Sequence, residues 1–261
     1  MKRITTELEK LIIEDYNNSI STMTISRKYE ISRSTVQKYL IKNNIKLHKA
    51  ISTLSLNVNF FSTYTPESCY WAGFILADGY VRNKRNSLEI CLSKIDDSHL
   101  LNFLTTINCD KDIRKYHNNA CRITICYNKI KEDLYKNFDI FNNKSLTCYI
   151  SNKIPNKMLP HFIRGYFDGD GCFSDNRIQF IGTYQTCDFI RHYFAKNNIL
   201  KNNNSLPKIG VKMNKNPLYY IKYSKAQSSH IINLLYKNST SLTRLERKYN
   251  KILFFKNVSL Q

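Results

Sequence analysis

The amino-acid sequence predicts an α+β fold: two pseudo-symmetric αββαββα units, each with a four-stranded antiparallel sheet, preceded by a small all-α domain. Three observations predict it. A ten-residue stretch occurs twice, at 71–80 (WAGFILADGY) and at 163–172 (IRGYFDGDGC). Segments that alternate between apolar and polar residues follow each copy at equivalent offsets. The first part of the chain instead carries apolar residues at helical spacing. We therefore predict one domain at 1–48 and a second at 60–261.

The N-terminal domain is predicted to contain three short helices, over 5–18, 23–29 and 33–44. They resemble a helix-turn-helix of the kind found in resolvases and repressors, although the turn lacks the usual glycine and has Glu30 nearby. The third helix would then meet DNA with side chains that can bond phosphates or base edges. These are Arg33, Ser34, Thr35, Gln37 and Lys38. The alternative is a plain helical hairpin that packs on the main domain.

Each copy of the repeated stretch is predicted to be an apolar helix with small residues four positions apart. The pairs are Gly73 with Ala77, and Gly165 with Gly169. Small residues at this spacing let two helix backbones approach closely. The glycine that follows each copy, Gly79 or Gly171, suits the left-handed position just past a helix end.

An acid stands at the C-terminus of each of these helices, where the helix dipole disfavours it: Asp78 in the first copy and Asp170 in the second. If the helices pack in parallel, the two carboxylates lie side by side, and like charges that close need help to stay ionised. Divalent cations would supply that help, because carboxylate oxygens are their natural ligands. The alternative is that Asp-Gly simply ends a buried helix in a turn, which two matching copies make less favoured.

The two predicted units, residues 60–150 and 151–261, have the same order of elements. In the first, the repeated helix is predicted to begin at Thr65-Pro66-Glu67. Thr65 would cap the helix, Pro66 would occupy its first position, and Glu67 would be an acid in its first turn. Strand pairs and helices then alternate. In the second, the repeated helix is predicted over 157–170, and an additional helix over 241–255 closes the chain.

Composition argues for a polyanionic partner. The chain has 261 residues, with 40 Lys and Arg against 20 Asp and Glu, a formal charge of +20. Most of the excess lies in residues 151–261, which hold 18 basic and 5 acidic side chains. Nucleic acid is the commonest partner of such a chain. The eight cysteines form no C-x-x-C pair, and most are interpreted as reduced core residues. We expect a cytoplasmic protein, or one that acts wherever the host genome resides, because no targeting or membrane-spanning segment is seen.

The two motifs together resemble those of the LAGLIDADG homing endonucleases. Residues 162–171 (FIRGYFDGDG) are similar to the second motif of two-repeat members, and Tyr236 followed by 245–249 (LERKY) resembles their C-terminal helical ending. Leu76 departs from the pattern, since many members have an acid there and the second copy has Asp168. The resemblance covers about 60–261. It implies that the two sheets form saddles on the DNA. We also expect a monomer, because both repeats are in one chain.

The resemblance also implies a reaction: hydrolysis of one phosphodiester on each DNA strand across the minor groove. Asp78 and Asp170 would bind Mg²⁺, with Mn²⁺ as a substitute, helped by the main-chain carbonyls of Ala77 and Gly169. A basic residue often assists in this family, and Lys222 is the candidate here. The alternative for Lys222 is a solvated strand lysine.

The strand faces that point away from the helices are predicted to meet DNA, since twisted ribbons fit the major groove. In the first unit the candidates are Arg82, Lys84, Arg85, Arg114, Lys115 and Arg122. In the second they are Arg177, Gln179, Lys208, Lys212 and Lys215. For any one of these side chains, a solvated sheet face is an equally good interpretation.

Two other functions remain open at this point. One is a DNA-binding regulator on a decayed endonuclease scaffold, although both acids are retained here. The other is a maturase that helps its own intron RNA to fold, since the same basic sheets could serve RNA. An intron-encoded or freestanding gene for intron homing fits better than an intein.

Overall fold

The computed structural model describes most of the chain as two compact units, residues 1–53 and 54–261. The described residues are 4–18, 20, 22–47, 55–82, 87–142, 147–197, 200, 206–213 and 216–258, with side chains up to 254. Lys84, Arg85 and Lys215 lie outside them. Within the described residues, no helix is both long and apolar enough to cross a membrane.

The N-terminal unit contains the three predicted helices: α1 (Thr6–Asn17), α2 (Thr22–Lys28) and α3 (Arg33–Lys42). They share a small core of Ile12, Tyr16, Ile25, Val36 and Leu40. The Ser32 hydroxyl caps α3 by accepting from the Thr35 N–H at 3.1 Å. Glu30, in the turn before α3, has φ 54°, so it occupies the left-handed position that glycine usually holds in such a turn.

The C-terminal unit has the predicted order of elements in both repeats. The first runs α4 (Pro66–Asp78), β1 (Gly79–Arg82), β2 (Ser87–Ser93), α5 (Asp97–Thr106), β3 (Arg114–Lys115), β4 (Ala120–Ile125) and α6 (Asn128–Phe138). The second runs α7 (Leu159–Asp170), β5 (Cys172–Ser174), β6 (Arg177–Gly182), α8 (Tyr184–Lys196), β7 (Gly210–Met213), β8 (Pro217–Lys222), α9 (Lys225–Tyr236) and α10 (Glu246–Val258).

The prediction for the last helix is wrong at its start. Residues 241–243 form a separate 3-10 turn, and α10 begins at Glu246 rather than at 241. The chain between them is extended at Arg244 (φ −153°, ψ 149°), which ends the turn. This break lets the Leu245 N–H donate to the Asp168 carboxylate at 2.8 Å.

The described strands form two four-stranded antiparallel sheets with the same topology, β1-β2-β4-β3 and β5-β6-β8-β7. Alternate side chains of a strand point to opposite faces. One face of the first sheet buries Val81, Leu88, Ile90 and Ile123 against the helices. The residues between them therefore form the outer face, as the predicted saddle requires.

Helices α4 and α7 cross in parallel through their small residues, as predicted. A Cβ on Gly73 would stand 2.0 Å from the Phe162 carbonyl oxygen, and one on Gly165 would stand 1.9 Å from that of Tyr70. Further along, a Cβ on Gly169 would meet the Cβ of Ala77 at 2.4 Å. The two backbones are thus closest at Gly73 and Gly165, and the helices remain packed as far as Ala77 and Gly169.

The prediction that Gly79 and Gly171 adopt the left-handed conformation is wrong. Both are extended (φ −79°, ψ 156° and φ −76°, ψ 159°) because each helix runs directly into a strand. Glycine is needed there for space. A Cβ would lie 2.8 Å from the Ile75 carbonyl oxygen at Gly79 and 2.6 Å from the Phe167 carbonyl oxygen at Gly171. The start of α4 agrees with prediction, since Thr65 caps it, with Pro66 as its first residue.

The cysteines are free thiols, and fewer of them are core residues than predicted. Cys69, Cys121 and Cys187 are buried. Cys91 and Cys172 are exposed, because each falls on the outer register of its strand.

A buried histidine makes the fold sensitive to acid. His99 packs beside Trp71 and Phe74, and burial lowers its pKa from 6.5 to about 3. The folded state therefore binds fewer protons than the unfolded state between these values, and stability falls as pH drops below about 6.5. We expect the free energy of unfolding to decrease by about 1–2 kcal/mol between pH 7 and pH 5.5 from this group. Denaturant titrations of His99→Phe should show a shallower pH dependence, whereas His230→Phe, at an exposed position, should match wild type. If the pH dependence of the free energy of unfolding is the same in His99→Phe as in wild type, His99 is not its source.

Candidate metal centre and nucleic-acid interface

The C-termini of α4 and α7 bring Asp78 and Asp170 to the same place in the molecule. Both side chains are exposed at the ends of the paired helices. Asp78 Oδ2 lies 3.2 Å from where a Cβ on Gly169 would stand, so the acid of one repeat faces the glycine that precedes the acid of the other. The paired helices thus bring the C-terminal ends of the two motifs together.

This arrangement fits a divalent cation. The donors are hard carboxylate oxygens, and the missing side chain at Gly169 leaves the space that Asp78 faces. No group of three or more His, Cys, Asp or Glu side chains suited to a metal is found in the described part of the chain. Two carboxylates alone do not complete the coordination of Mg²⁺ or Ca²⁺, so main-chain, water or phosphate oxygens would have to contribute.

Asp168, next to this site, is buried and serves another purpose. Its carboxylate accepts from Tyr70 Oη at 2.9 Å, from Tyr236 Oη at 2.5 Å and from the Leu245 N–H. Burial raises the pKa of Asp168, while Lys248 and these hydrogen bonds oppose the rise. Leu76, the equivalent residue in the first repeat, is also buried but has no carboxylate to satisfy. Asp168 therefore ties α4, α7 and the C-terminal segment together.

Arg164 and Lys248 are buried basic residues that contact the same region. Arg164 donates to the carbonyl oxygens of Thr243 at 2.8 Å and Leu235 at 2.6 Å. Lys248 donates to those of Phe167, Asp168 and Gly171 at 2.6, 2.9 and 2.7 Å. Burial lowers the pKa of both side chains. In the sequence, the segment around Lys248 is visible only as a family-like ending, and no signal there predicts a role for this lysine.

Lys222 lies in a row of side chains that begins two residues after Asp170. The strand register places Cys172 opposite Gln179, and Gln179 opposite Lys222. Since all three have the same register, they share the outer face. This puts the predicted basic residue on the same face as the end of α7.

The equivalent row in the first repeat has different chemistry. It contains Tyr80, Glu89 and Thr124. Glu89 approaches Arg82 at 3.5 Å and Arg122 at 3.4 Å, and its side chain is 13% exposed. The two halves of the site are therefore unequal, with an arginine-flanked acid in one row and a lysine in the other. Glu89 was missed from the sequence, where a strand glutamate looks like a solvated residue.

The outer face of the first sheet carries three of the predicted arginines. Arg114 lies directly opposite Arg122, and Arg82 stacks over the Tyr80 ring at 5.0 Å. Like charges directly opposite each other in a sheet destabilise it, so this face suits an anionic partner. The prediction that Lys115 lies on the outer face is wrong. Lys115 pairs with buried Cys121 on the helix side of the sheet, and its ammonium donates to Asp97 at 2.7 Å. A two-residue strand left its face undetermined in the sequence.

The outer face of the second sheet has fewer charges and more apolar side chains. Arg177 and Gln179 alternate outward along β6, and Lys212 lies opposite Leu218 on β8. Lys208 is exposed in the segment before β7. Arg177, Gln179 and Lys212 thus lie on the outer face, as predicted.

The candidate residues of α3 are only partly accessible. Arg33, Ser34 and Lys38 are exposed, whereas Thr35 and Gln37 are half-buried. The hydroxyls of Ser34 and Thr35 bond that of Ser32, at 2.8 and 2.7 Å. Arg33 Nε donates to Thr22 at 3.1 Å. Contact with DNA by this helix stays a prediction.

Solved structures similar to this chain are LAGLIDADG homing endonucleases. I-SmaMI bound to cleaved DNA superposes with a TM-score of 0.50 at 13% identity, over 76% of this chain and 89% of I-SmaMI. I-DmoI in complex with DNA and Ca matches with a TM-score of 0.47 at 15% identity, over 72% and 94%. I-CpaMI bound to uncleaved DNA matches with a TM-score of 0.48 at 12% identity, over 75% and 93%.

The C-terminal unit therefore has the fold of the LAGLIDADG homing endonucleases, which confirms the predicted fold class. Identity at this level concerns the fold and leaves function to the site itself. No protein-family model and no curated protein matches the sequence.

Proposed function

We propose that this protein is a site-specific endonuclease that cuts both strands of duplex DNA with a divalent metal ion. The observation that carries the proposal is the pair of exposed acids, Asp78 and Asp170, at the ends of two parallel helices, one from each repeat. A duplex has two strands to cut, and each repeat contributes one acid. The choice is supported by the similar solved structures: I-SmaMI is bound to cleaved DNA, and I-DmoI is in complex with DNA and Ca or Mn.

Asp78 and Asp170 would hold Mg²⁺, or Mn²⁺ in its place, with the carbonyl oxygens of Ala77 and Gly169 and a DNA phosphate. The ion, when bound, lowers the pKa of water and stabilises negative charge on the phosphate. The role of the two acids would be to hold the ion where the scissile phosphate binds. Lys222 adds a positive charge on the same face, where it would stabilise charge that develops during hydrolysis.

The two sheets would bind the DNA on either side of the cut. Their outer faces differ, because the first presents Arg82, Arg114 and Arg122 and the second presents Gln179 and Lys212. Arginine pairs well with guanine edges and glutamine with adenine. We therefore propose a long, asymmetric target site read by one monomer.

The N-terminal unit would extend this target by adding DNA contacts of its own. We expect Arg33→Ala/Lys38→Ala to weaken DNA binding and to lower the slope of log affinity against log salt by about 1–2. A footprint should also shorten on one side. Lys10→Ala/Lys46→Ala removes the same charge elsewhere on the unit and serves as the control. Equal effects of the two double variants would mean that α3 has no special role.

The proposal is tested by selection of cut molecules from a randomised duplex library, with Mg²⁺ or with a chelator. Recovery of one discrete, metal-dependent target sequence is expected. Tight binding of duplex DNA without any cut would favour the regulator instead. A preference for structured RNA over duplex DNA, without cleavage, would favour the maturase, for which its own intron RNA would be the partner.

A further inference from the structure

Lys248 is a buried lysine whose donors are all directed at one end of α7. It is 9% exposed, and its ammonium lies 4.9 Å from the centre of the Phe167 ring. An ammonium has three N–H donors. Here the three acceptors are the carbonyl oxygens of Phe167, Asp168 and Gly171. These carbonyls lie on both sides of Gly169 and Asp170, so one side chain holds the main chain around the acid of the second repeat.

The charge of Lys248 also acts on the acid of the first repeat. Asp78 Oδ2 lies 3.2 Å from where a Cβ on Gly169 would stand, and the carbonyls that Lys248 bonds lie on both sides of Gly169. Asp168 and Asp78 both act to raise the pKa of Lys248, against the larger effect of burial, which lowers it. The C-terminus of α7 adds the negative end of a helix dipole. The ammonium of Lys248 is therefore the positive charge in a region where Asp78, Asp168 and the C-terminus of α7 are all negative.

The segment that carries Lys248 is itself anchored to both repeats. Arg247 donates to both carboxylate oxygens of Asp96, in the first repeat, at 2.9 and 2.8 Å. The Leu245 N–H bonds Asp168 in the second. Lys248 is thus held in place from two directions rather than reaching in from a free helix.

We propose that Lys248 is a positioning residue for the metal site: it fixes the main chain at Asp170 and offsets the repulsion between Asp78 and Asp170 in the metal-free protein. The proposal rests on the proposed function, because it takes these two acids as the metal site. It explains how like charges remain adjacent before a cation binds. The proposal therefore predicts an effect of Lys248 on the stability of the protein in the absence of metal and DNA.

The test is a double-mutant cycle on the full chain in chelator-treated buffer, with Tm as the readout. Lys248→Gln keeps two N–H donors for the carbonyls but removes the charge. We expect it to lower Tm by about 4–8 °C. The deciding quantity is the difference between the two backgrounds. Asp78→Asn should shift Tm upward in the Lys248→Gln background relative to its effect in wild type, because in wild type the same substitution also removes the attraction between Asp78 and Lys248.

An equal effect of Asp78→Asn in both backgrounds would overturn the proposal, since it would leave Lys248 a purely structural residue. Lys251→Gln removes an exposed charge from the same helix and should show no coupling. If Lys248→Gln does not fold, Lys248→Arg keeps the charge, and Asp78→Asn should then change Tm by the same amount as in wild type. A Tm change from Asp78→Asn that is more favourable in the Lys248→Arg background than in wild type would equally contradict the proposal.

A second measurement, Tm with added Ca²⁺, tests the metal site independently of the role of Lys248. Added Ca²⁺ should raise Tm more in Lys248→Gln than in wild type, because the variant lacks the competing charge. The same rise in both proteins would count against Lys248 as an electrostatic partner. No rise in either protein would count against the metal site, while the metal-free cycle would still report on Lys248.

Discussion

Gly165→Ala is expected to unfold or severely destabilise the C-terminal unit. The new Cβ would stand 1.9 Å from the Tyr70 carbonyl oxygen and 2.8 Å from the Phe74 main-chain nitrogen, so the obstacle is backbone rather than a side chain that can rotate away. Helices α4 and α7 would have to separate, and their apolar residues form the centre of the core. Added methyl groups in a core usually cost about 1–3 kcal/mol, and here the obstacle is backbone that cannot move aside. We therefore expect the free energy of unfolding to fall by about 3 kcal/mol or more.

Gly210→Ala is the matched control for this prediction. There the new Cβ would meet only the far end of the Tyr220 ring, at 2.3 Å, on an edge strand. The ring can move, so we expect a small change. Denaturant titration and thermal melts distinguish the two variants. A Gly165→Ala protein with wild-type stability would show that the close packing of the motif helices is not required.

Asp78→Asn and Asp170→Asn are expected to abolish double-strand cleavage while the protein still binds DNA. Each substitution removes a charged oxygen donor with little change of shape, so the fold and the outer faces of the sheets stay intact. We expect the cleavage rate to fall by about 10³-fold in each variant. Binding should be retained, because the loss of one negative charge does not oppose a polyanion.

Asp175→Asn is the control for the acids. Asp175 is an exposed acid in the β5–β6 turn, away from the helix ends. Cleavage by single-turnover kinetics and binding by gel shift should both resemble wild type in this variant. If Asp78→Asn and Asp170→Asn cut at the wild-type rate, the metal site is elsewhere.

The repeats, the small-residue packing and the two acids were predictable because they depend on local pattern. The spacing of Gly165 and Gly169 follows from helix geometry, and the cap at Thr65 from the residues next to it. The elements of each repeat follow from alternation and turn residues. These features need no knowledge of which distant segments meet.

The surroundings of the acids could not be predicted because they depend on distant contacts. Lys248 meets α7 through the break in the chain near Arg244, which no periodicity signals. Glu89 meets Arg122 only through the pairing of β2 with β4. The extended conformation at Gly79 depends on the space beside Ile75, and the face of Lys115 depends on the register of a two-residue strand.

The most direct test of the central claim is to map both ends of the DNA that the wild-type protein produces with Mg²⁺. One acid from each repeat predicts one break in each strand, at fixed positions, staggered across the minor groove, and absent when a chelator is added. A break in one strand only, breaks at scattered positions, or breaks that persist without divalent metal would contradict the account.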